Sequence, residues 1–383
     1  MTPRSVYITQ SAAFLPNAPV ANDAMEAVLG QAGGKPSRAR RTILRSNGIT
    51  ARHYAVDPET RRPTHTNAQI TAEAIRKLAS ADFDLAKLSC LVTGTSIADQ
   101  LMPNHAVMVQ GELGLPVCEA VATSGVCLAG LTALKYAYMG VASGMHANAV
   151  ATGSEAASAV LSARNFEAES EAKVDALEHH PELAFEKDFL RWMLSDGAGA
   201  LLLEAQPRGH GRSLRIDWIE TFSYAGEMEP CMYAGAVKNA DGTLSGWTQM
   251  SSADRELDSV MSVKQDVKLL NANVIRYTVE KPLPGLVEKY QLRVDDIDYF
   301  LPHYSSAFFR DKVRDGMIAA GFDVPQERWF SNLSTKGNTG SASMYIMLDE
   351  LIQTRDLQPG QRVLCWVPES GRFSSGFMHL TVV

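Results

Sequence analysis

Residues 122–130 read ATSGVCLAG, and the conformation of this stretch decides the fold. It follows the short apolar run PVCEAVA (116–122) and precedes LTALKYAYMGVASG (131–144), where apolar residues recur at helical spacing and a glycine closes the pattern. A lone thiol, Cys127, therefore stands at a predicted strand-to-helix turn, with Ser124, Gly125 and Ala129 leaving room beside it. The first turn of a helix offers unsatisfied N–H groups and the positive end of the dipole, which favour a reactive thiolate. A free cysteine is also a common small core residue. What speaks for chemistry at Cys127 is its position. Cys90, Cys118, Cys231 and Cys365 lack that position and read as core.

Outward from this turn, glycine and proline divide the chain into alternating strands and helices. The first half reads as strand SVYITQSAAFLP (5–16), helix near 66–80, strand LSCLVTGTS (88–96), helix near 104–112, strand EAVATSG (119–125), helix 127–140, and strands NAVATGSE (148–155) and SDGAGALLLEA (195–205). After about residue 212 a similar order returns: strand LRIDWIETF, a long helical region 253–290, strand IDYFLPHYS, a helix to about 320, strand WFSN, helix 339–354, and strands QRVLCWVPES and FMHLTVV. This is an α/β pattern.

The two runs look like a duplication, giving units 1–212 and 213–383. LAKLSCLVTGTS matches VDDIDYFLPHYSS, SGVCLAGLTALKYAYMGVASG matches GNTGSASMYIMLDELIQTRDLQPG, and NAVATGSE matches RVLCWVPESG. A pseudo-twofold pair of such units brings equivalent turns to one interface, where ligand sites tend to form. Residues 163–192, charged and helix-prone, interrupt the first unit and have no counterpart in the second.

The 383 residues, 45% hydrophobic and 21% charged, describe a globular chain with a substantial core. A net charge of −7 without a basic block gives no footprint for nucleic acid or an anionic membrane. No run approaches a membrane span and the first residues do not read as a signal peptide, so a cytoplasmic protein is expected. Five cysteines without a CxxC pair suggest neither a disulfide framework nor a metal site.

Two further residues stand out. His303 follows an apolar strand and a proline, at the strand's carboxyl end, where α/β proteins usually place chemistry. Asn338, in STKGNTGSAS, opens a helix and by itself reads as a cap. Taken with Cys127 they make a pattern: TSGVCLAG, LPHYSS, KGNTGSAS and LSDGAGALLL, in their order and spacing, resemble the ketoacyl-acyl-carrier-protein synthase III enzymes of the thiolase superfamily. The resemblance runs through nearly the whole chain. It implies a thiolase-like fold of two duplicated halves in αβαβα layers, with Cys127 as acyl-accepting nucleophile and His303 and Asn338 completing a triad. It also makes Gly371, in ESGRFSSG, the second oxyanion-hole amide beside that of Cys127.

The implied reaction is a decarboxylative Claisen condensation between the acyl group on Cys127 and a malonyl-type thioester, with no cofactor or metal. It also implies a homodimer in which Leu101 and Met102 reach the partner's acyl pocket, and it puts Phe373 at the substrate. Thr42 and Ser46 align with the aromatic and the arginine that clamp coenzyme A in the family. Their absence points to an acyl-carrier-protein donor docked on Arg38, Arg40, Arg41 and Arg45, and to a specialised, polyketide-like pathway. Two other readings are open: an acyltransferase passing the acyl group to an alcohol or amine, and a non-catalytic partner subunit.

Overall fold

Nine strands join in a single sheet: β1 (Tyr7–Phe14), β2 (Cys90–Thr95), β3 (Glu119–Ser124), β4 (Asn148–Glu155), β5 (Gly197–Glu204), β6 (Leu214–Ser223), β7 (Tyr299–Pro302), β8 (Arg362–Glu369) and β9 (Ser374–Val382). Their order is β7–β8–β9–β6–β1–β5–β4–β2–β3. The computed structural model describes residues 4–31, 36–37, 40–166, 190–209 and 211–383. The first-half strands β1 to β5 and the second-half strands β6 to β9 meet where β1 pairs with β6, Tyr7 opposite Arg215 and Ile8 opposite Leu214. β2 lies parallel to both β3 and β4, and β7 parallel to β8, the pairing that crossover connections require.

Alternation along the strands shows why both faces are covered. In β2, Cys90 and Val92 enter one core and Leu91 another; in β8, Val363, Cys365 and Val367 enter that same first core while Leu364 and Trp366 turn away. Strands buried on both sides read as nearly continuous apolar runs. The shared core is filled by α4 (Leu128–Ala142) and α8 (Ser343–Thr354), packed between the halves. Outside them lie α2 (Asn67–Arg76) and α3 (His105–Leu113) on the first half, and α6 (Leu283–Tyr290) and α7 (Arg310–Ala319) on the second. The result is the expected αβαβα layering. Two glycines let the layers close: a Cβ at Gly130 or at Gly153 would stand 2.2 Å from the Ser341 carbonyl oxygen.

Two helix starts on the first half follow their local signals. Thr66 and Gln69 form a capping box on α2, and Asn104 caps α3, which Gly114 ends at φ 61°. The α4 start differs: its N-cap is Cys127, with no side-chain cap of its own.

Several sequence expectations are corrected. The region 253–290 is not one long helix. It is broken into a turn of helix at Ser252–Leu257, a short strand at Lys264–Gln265, α5 (Val267–Ile275), a π-helical turn at Arg276–Glu280 and α6. Pro282 and Pro284 cannot donate to a continuous ladder. WFSN is not a strand; it contributes an isolated bridge between Trp329 and Phe300. A helix at Arg40–Asn47, α1, was not anticipated. Of the charged segment 163–192, residues 167–189 lie outside the described residues. At its far end Arg191 and Trp192 are buried, Arg191 donating from Nη2 to the Gly30 carbonyl at 2.7 Å.

Candidate active site

The carboxyl ends of β3, β4, β7 and β8 open on a cavity of about 420 Å³. Cys127, His303, Asn338 and Gly371 all line it, from segments far apart in sequence. Much of the remaining lining is apolar, including Val160, Leu190, Leu270, Val274, Phe309 and Val313. That lining suits an acyl chain and offers it little polar company.

Cys127 is half-buried and reaches the cavity because Gly125 takes φ 152°, a conformation that side chains disfavour, at the exit from β3. Burial pushes the thiol well above its ordinary range, and the carboxyls of Glu155 and Glu369 push it further. His303 is buried at the end of β7, its backbone N–H donating to the Trp366 carbonyl of β8 at 2.9 Å. Burial lowers its pKa to about 4, so the imidazole is neutral at pH 7 and keeps one N–H to donate. Asn338 is held from both sides. Its N–H donates to the Met193 carbonyl at 3.0 Å, its carbonyl accepts from Ser195 at 2.8 Å, and Oδ1 accepts the Gly340 N–H at 2.9 Å. With Oδ1 engaged, the amide is oriented as a donor toward the cavity. The Gly371 carbonyl accepts the Cys231 N–H at 2.9 Å, which fixes the turn that presents its own amide.

Two carboxyls that the sequence motifs do not mark as functional, Glu155 and Glu369, also line the cavity. Glu155 ends β4, accepts from the Ser96 N–H at 3.1 Å, the Ser96 hydroxyl at 2.5 Å and the Ser341 N–H at 3.1 Å, and burial raises its pKa to about 7. Glu369 ends β8, and its Oε2 accepts the Val126 N–H at 3.2 Å and the Leu128 N–H at 3.3 Å. Burial raises its pKa too, against those two hydrogen bonds. The local pattern at His303, a polar residue at the end of an apolar strand, is present in NAVATGSE and RVLCWVPE as well.

Other expected residues lie elsewhere. Phe373 does not line the cavity. It is fully buried behind the wall at φ 58°, its ring 5.9 Å from that of Tyr277. Leu101 and Met102 are 67% and 82% exposed and do not line this chain's own cavity. Arg40 is engaged within the fold: it pairs with Glu26 at 2.9 Å and donates to the Asn22 carbonyl at 2.6 Å. Arg41 and Arg45 stand exposed on α1, as do Thr42 and Ser46, and Arg38 lies outside the described residues. Among the described residues one group could hold a metal: Cys90, Glu119 and His146, with ligand atoms within 4.8 Å of one another. It sits at the amino ends of β2 and β3, away from the cavity, and there His146 Nε2 already lies 3.0 Å from the Glu119 carboxylate.

The chain is similar to known proteins over nearly its whole length. A family model described as the 3-oxoacyl-acyl-carrier-protein synthase III C terminal matches residues 287–377. The beta-ketoacyl-acyl-carrier-protein synthase III of Ruegeria sp. strain TM1040 is 26% identical over 368 residues, 95% of either chain. That of Streptococcus pyogenes serotype M49 is 25% identical over 348 residues, 90% of this chain and 89% of its own. Among solved structures, AbyA1, a tetronic acid condensing enzyme, has a TM-score of 0.74 at 20% identity, over 98% of this chain and 99% of its own. The Thermus thermophilus synthase III has a TM-score of 0.71 at 20% identity, over 98% of both. Both are likenesses of fold.

Proposed function

We propose that this ketoacyl synthase III-like chain of the thiolase superfamily is an acyltransferase that carries out decarboxylative Claisen condensation through an acyl group on Cys127. The observation that carries the reading is the convergence of Cys127, His303 and Asn338 on one cavity with a largely apolar lining. The thiolate attacks an acyl thioester and holds the acyl group covalently, splitting one difficult condensation into two easier steps. A malonyl-type thioester then loses carbon dioxide. The N–H of neutral His303 and the Asn338 amide stabilise the enolate oxygen while its carbon attacks the acyl group. The amides of Cys127 and Gly371 hold the tetrahedral oxyanion.

The finer assignments belong to the same proposal. Residues 1–212 and 213–383 are its two units. The donor is an acyl-carrier protein, approaching the exposed Arg41 and Arg45; the protein acts in the cytoplasm; and two copies pair so that Leu101 and Met102 of one reach the pocket of the other. Neither cofactor nor metal takes part.

The test is intact-protein mass measurement after incubation with a panel of acyl thioesters, followed by addition of the malonyl thioester. A mass gain mapped to Cys127, then release of carbon dioxide with loss of that mass, is the expected result. Loss of the acyl mass to an alcohol or amine without carbon dioxide would replace condensation by simple acyl transfer.

A further inference from the structure

Glu369 is placed where the resting thiol needs a partner. Its carboxylate rests on the N–H groups of Val126 and Leu128, the residues on either side of Cys127, at 3.2 and 3.3 Å. α4, fifteen residues long, has no side-chain cap from its own sequence, so a carboxylate 243 residues away supplies the anion at its amino end. Gly371 keeps that carboxylate uncovered: a Cβ there would lie 3.2 Å from Glu369 Oε1 and 3.2 Å from Val126 Cγ2. Glu369 and Cys127 line the same cavity.

We infer that Glu369 is the proton acceptor for Cys127 in the acyl-transfer step, a role that rests on the reading of Cys127 as the nucleophile. The S–H bond of Cys127 breaks and an O–H bond forms on the Glu369 carboxylate. The sulfur electron pair forms the new C–S bond to the thioester carbonyl. The tetrahedral intermediate collapses by breaking its C–S bond to the donor, and the departing sulfur takes the proton back from Glu369. The carboxylate is restored and the enzyme holds the acyl group.

The surroundings favour this exchange. A thiolate and an ionised Glu369 side by side repel, so the sulfur and the carboxyl share one proton more easily than they ionise together. Burial makes Glu369 a better proton acceptor than an ordinary carboxylate. The remaining titratable or charged groups lining the cavity are Glu155, Tyr233, His303, Tyr304 and Arg372. Glu155 is held by Ser96 and Ser341, burial keeps His303 neutral, and Arg372 donates from Nε to the Met228 carbonyl at 2.6 Å.

The experiment is the pH dependence of Cys127 acylation by hexanoyl-N-acetylcysteamine, followed by intact mass, in the wild type, E369Q and E369D. The wild-type rate should rise as Glu369 ionises and then level off through neutral pH. In E369Q the plateau should vanish: the rate at pH 7 falls by about 10²-fold, the usual contribution of a positioned base, and climbs roughly tenfold per pH unit. E369D should keep a plateau at a lower rate. A wild-type plateau retained in E369Q, or a loss in E369Q that is the same at every pH, would overturn the proposal and leave Cys127 as nucleophile. Wild-type acylation of C127A would instead overturn the nucleophile itself.

Discussion

Glu155 and Glu369 close corresponding strands of the two halves, NAVATGSE and RVLCWVPE, and each reaches across to the central helix of the other half. Glu155, from the first half, accepts the Ser341 N–H just before α8; Glu369, from the second, accepts the Val126 and Leu128 N–H groups at the start of α4. The difference is in what else each touches. Ser96 gives Glu155 both its N–H and its hydroxyl, whereas Glu369 has the two amides beside Cys127. A duplicated scaffold thus holds two equivalent carboxyls, one tied into the joint between the halves and one resting on the two amides that flank Cys127. Removing groups from each side of the pair separates joint from chemistry.

The largest effect belongs to the thiol itself. C127A is expected to show no acyl adduct in intact-mass measurements, because Cys90, Cys231 and Cys365 are buried and neither they nor the half-buried Cys118 line the cavity. Peptide mapping that finds the acyl group on another cysteine would break the comparison at its centre. H303A and N338A should still accept an acyl group but lose decarboxylation by roughly 10²–10³ each, the scale for removing one donor from a preorganised oxyanion site. Measuring acylation and carbon dioxide release separately checks this; equal losses in both steps would deny the division of roles.

The joint carboxyl should show itself in stability. Glu155 has a folded pKa near 7 against 4.5 for the free side chain. The folded state therefore keeps a proton that the unfolded chain has already lost between those values. Its stabilising effect is full at low pH and disappears as pH rises through about 7, a change of about 3 kcal/mol. Asp196, raised to about 6 by burial, acts in the same sense in both proteins. E155Q should accordingly lose less stability than the wild type between pH 5 and pH 7.5, as read from urea denaturation. Identical slopes would mean that Glu155 is already ionised in the fold.

How much of this was legible in the sequence follows from the range of each interaction. The turn at Cys127, the strand end before His303 and the cap-like Asn338 are local patterns. Each reads directly, and the helices at 66–80, 104–112 and 127–140 are found at Asn67–Arg76, His105–Leu113 and Leu128–Ala142. Glu369 lies in ESGRFSSG, yet its meaning depends on which helix start its strand meets across the joint, and no spacing within the chain states that. The same holds for Arg40, which looks like a free surface cation until Glu26 and Asn22 are found around it. Phe373 belongs to the glycine-rich turn by sequence but is carried behind the cavity wall by a left-handed backbone.

The smallest effect concerns the exposed charges of α1. α1, RRTILRSN, carries Arg41 and Arg45 exposed, while Arg40 is engaged with Glu26. A carrier-protein donor would approach through charge complementarity, which mainly speeds encounter and sets orientation. Exposed charges contribute at most about 1 kcal/mol each, so R41E and R45E should each raise KM for a carrier-protein donor only a few-fold, with kcat kept. The effect should shrink in high salt, because exposed charges are screened over about 10 Å at 0.1 M ionic strength. Acylation by an N-acetylcysteamine thioester, which has no carrier to dock, should not respond. R40E would mislead, since it breaks an ion pair within the fold. If R41E and R45E slow both donors alike, α1 supports the structure of the site; if neither donor responds, α1 is not where a carrier docks.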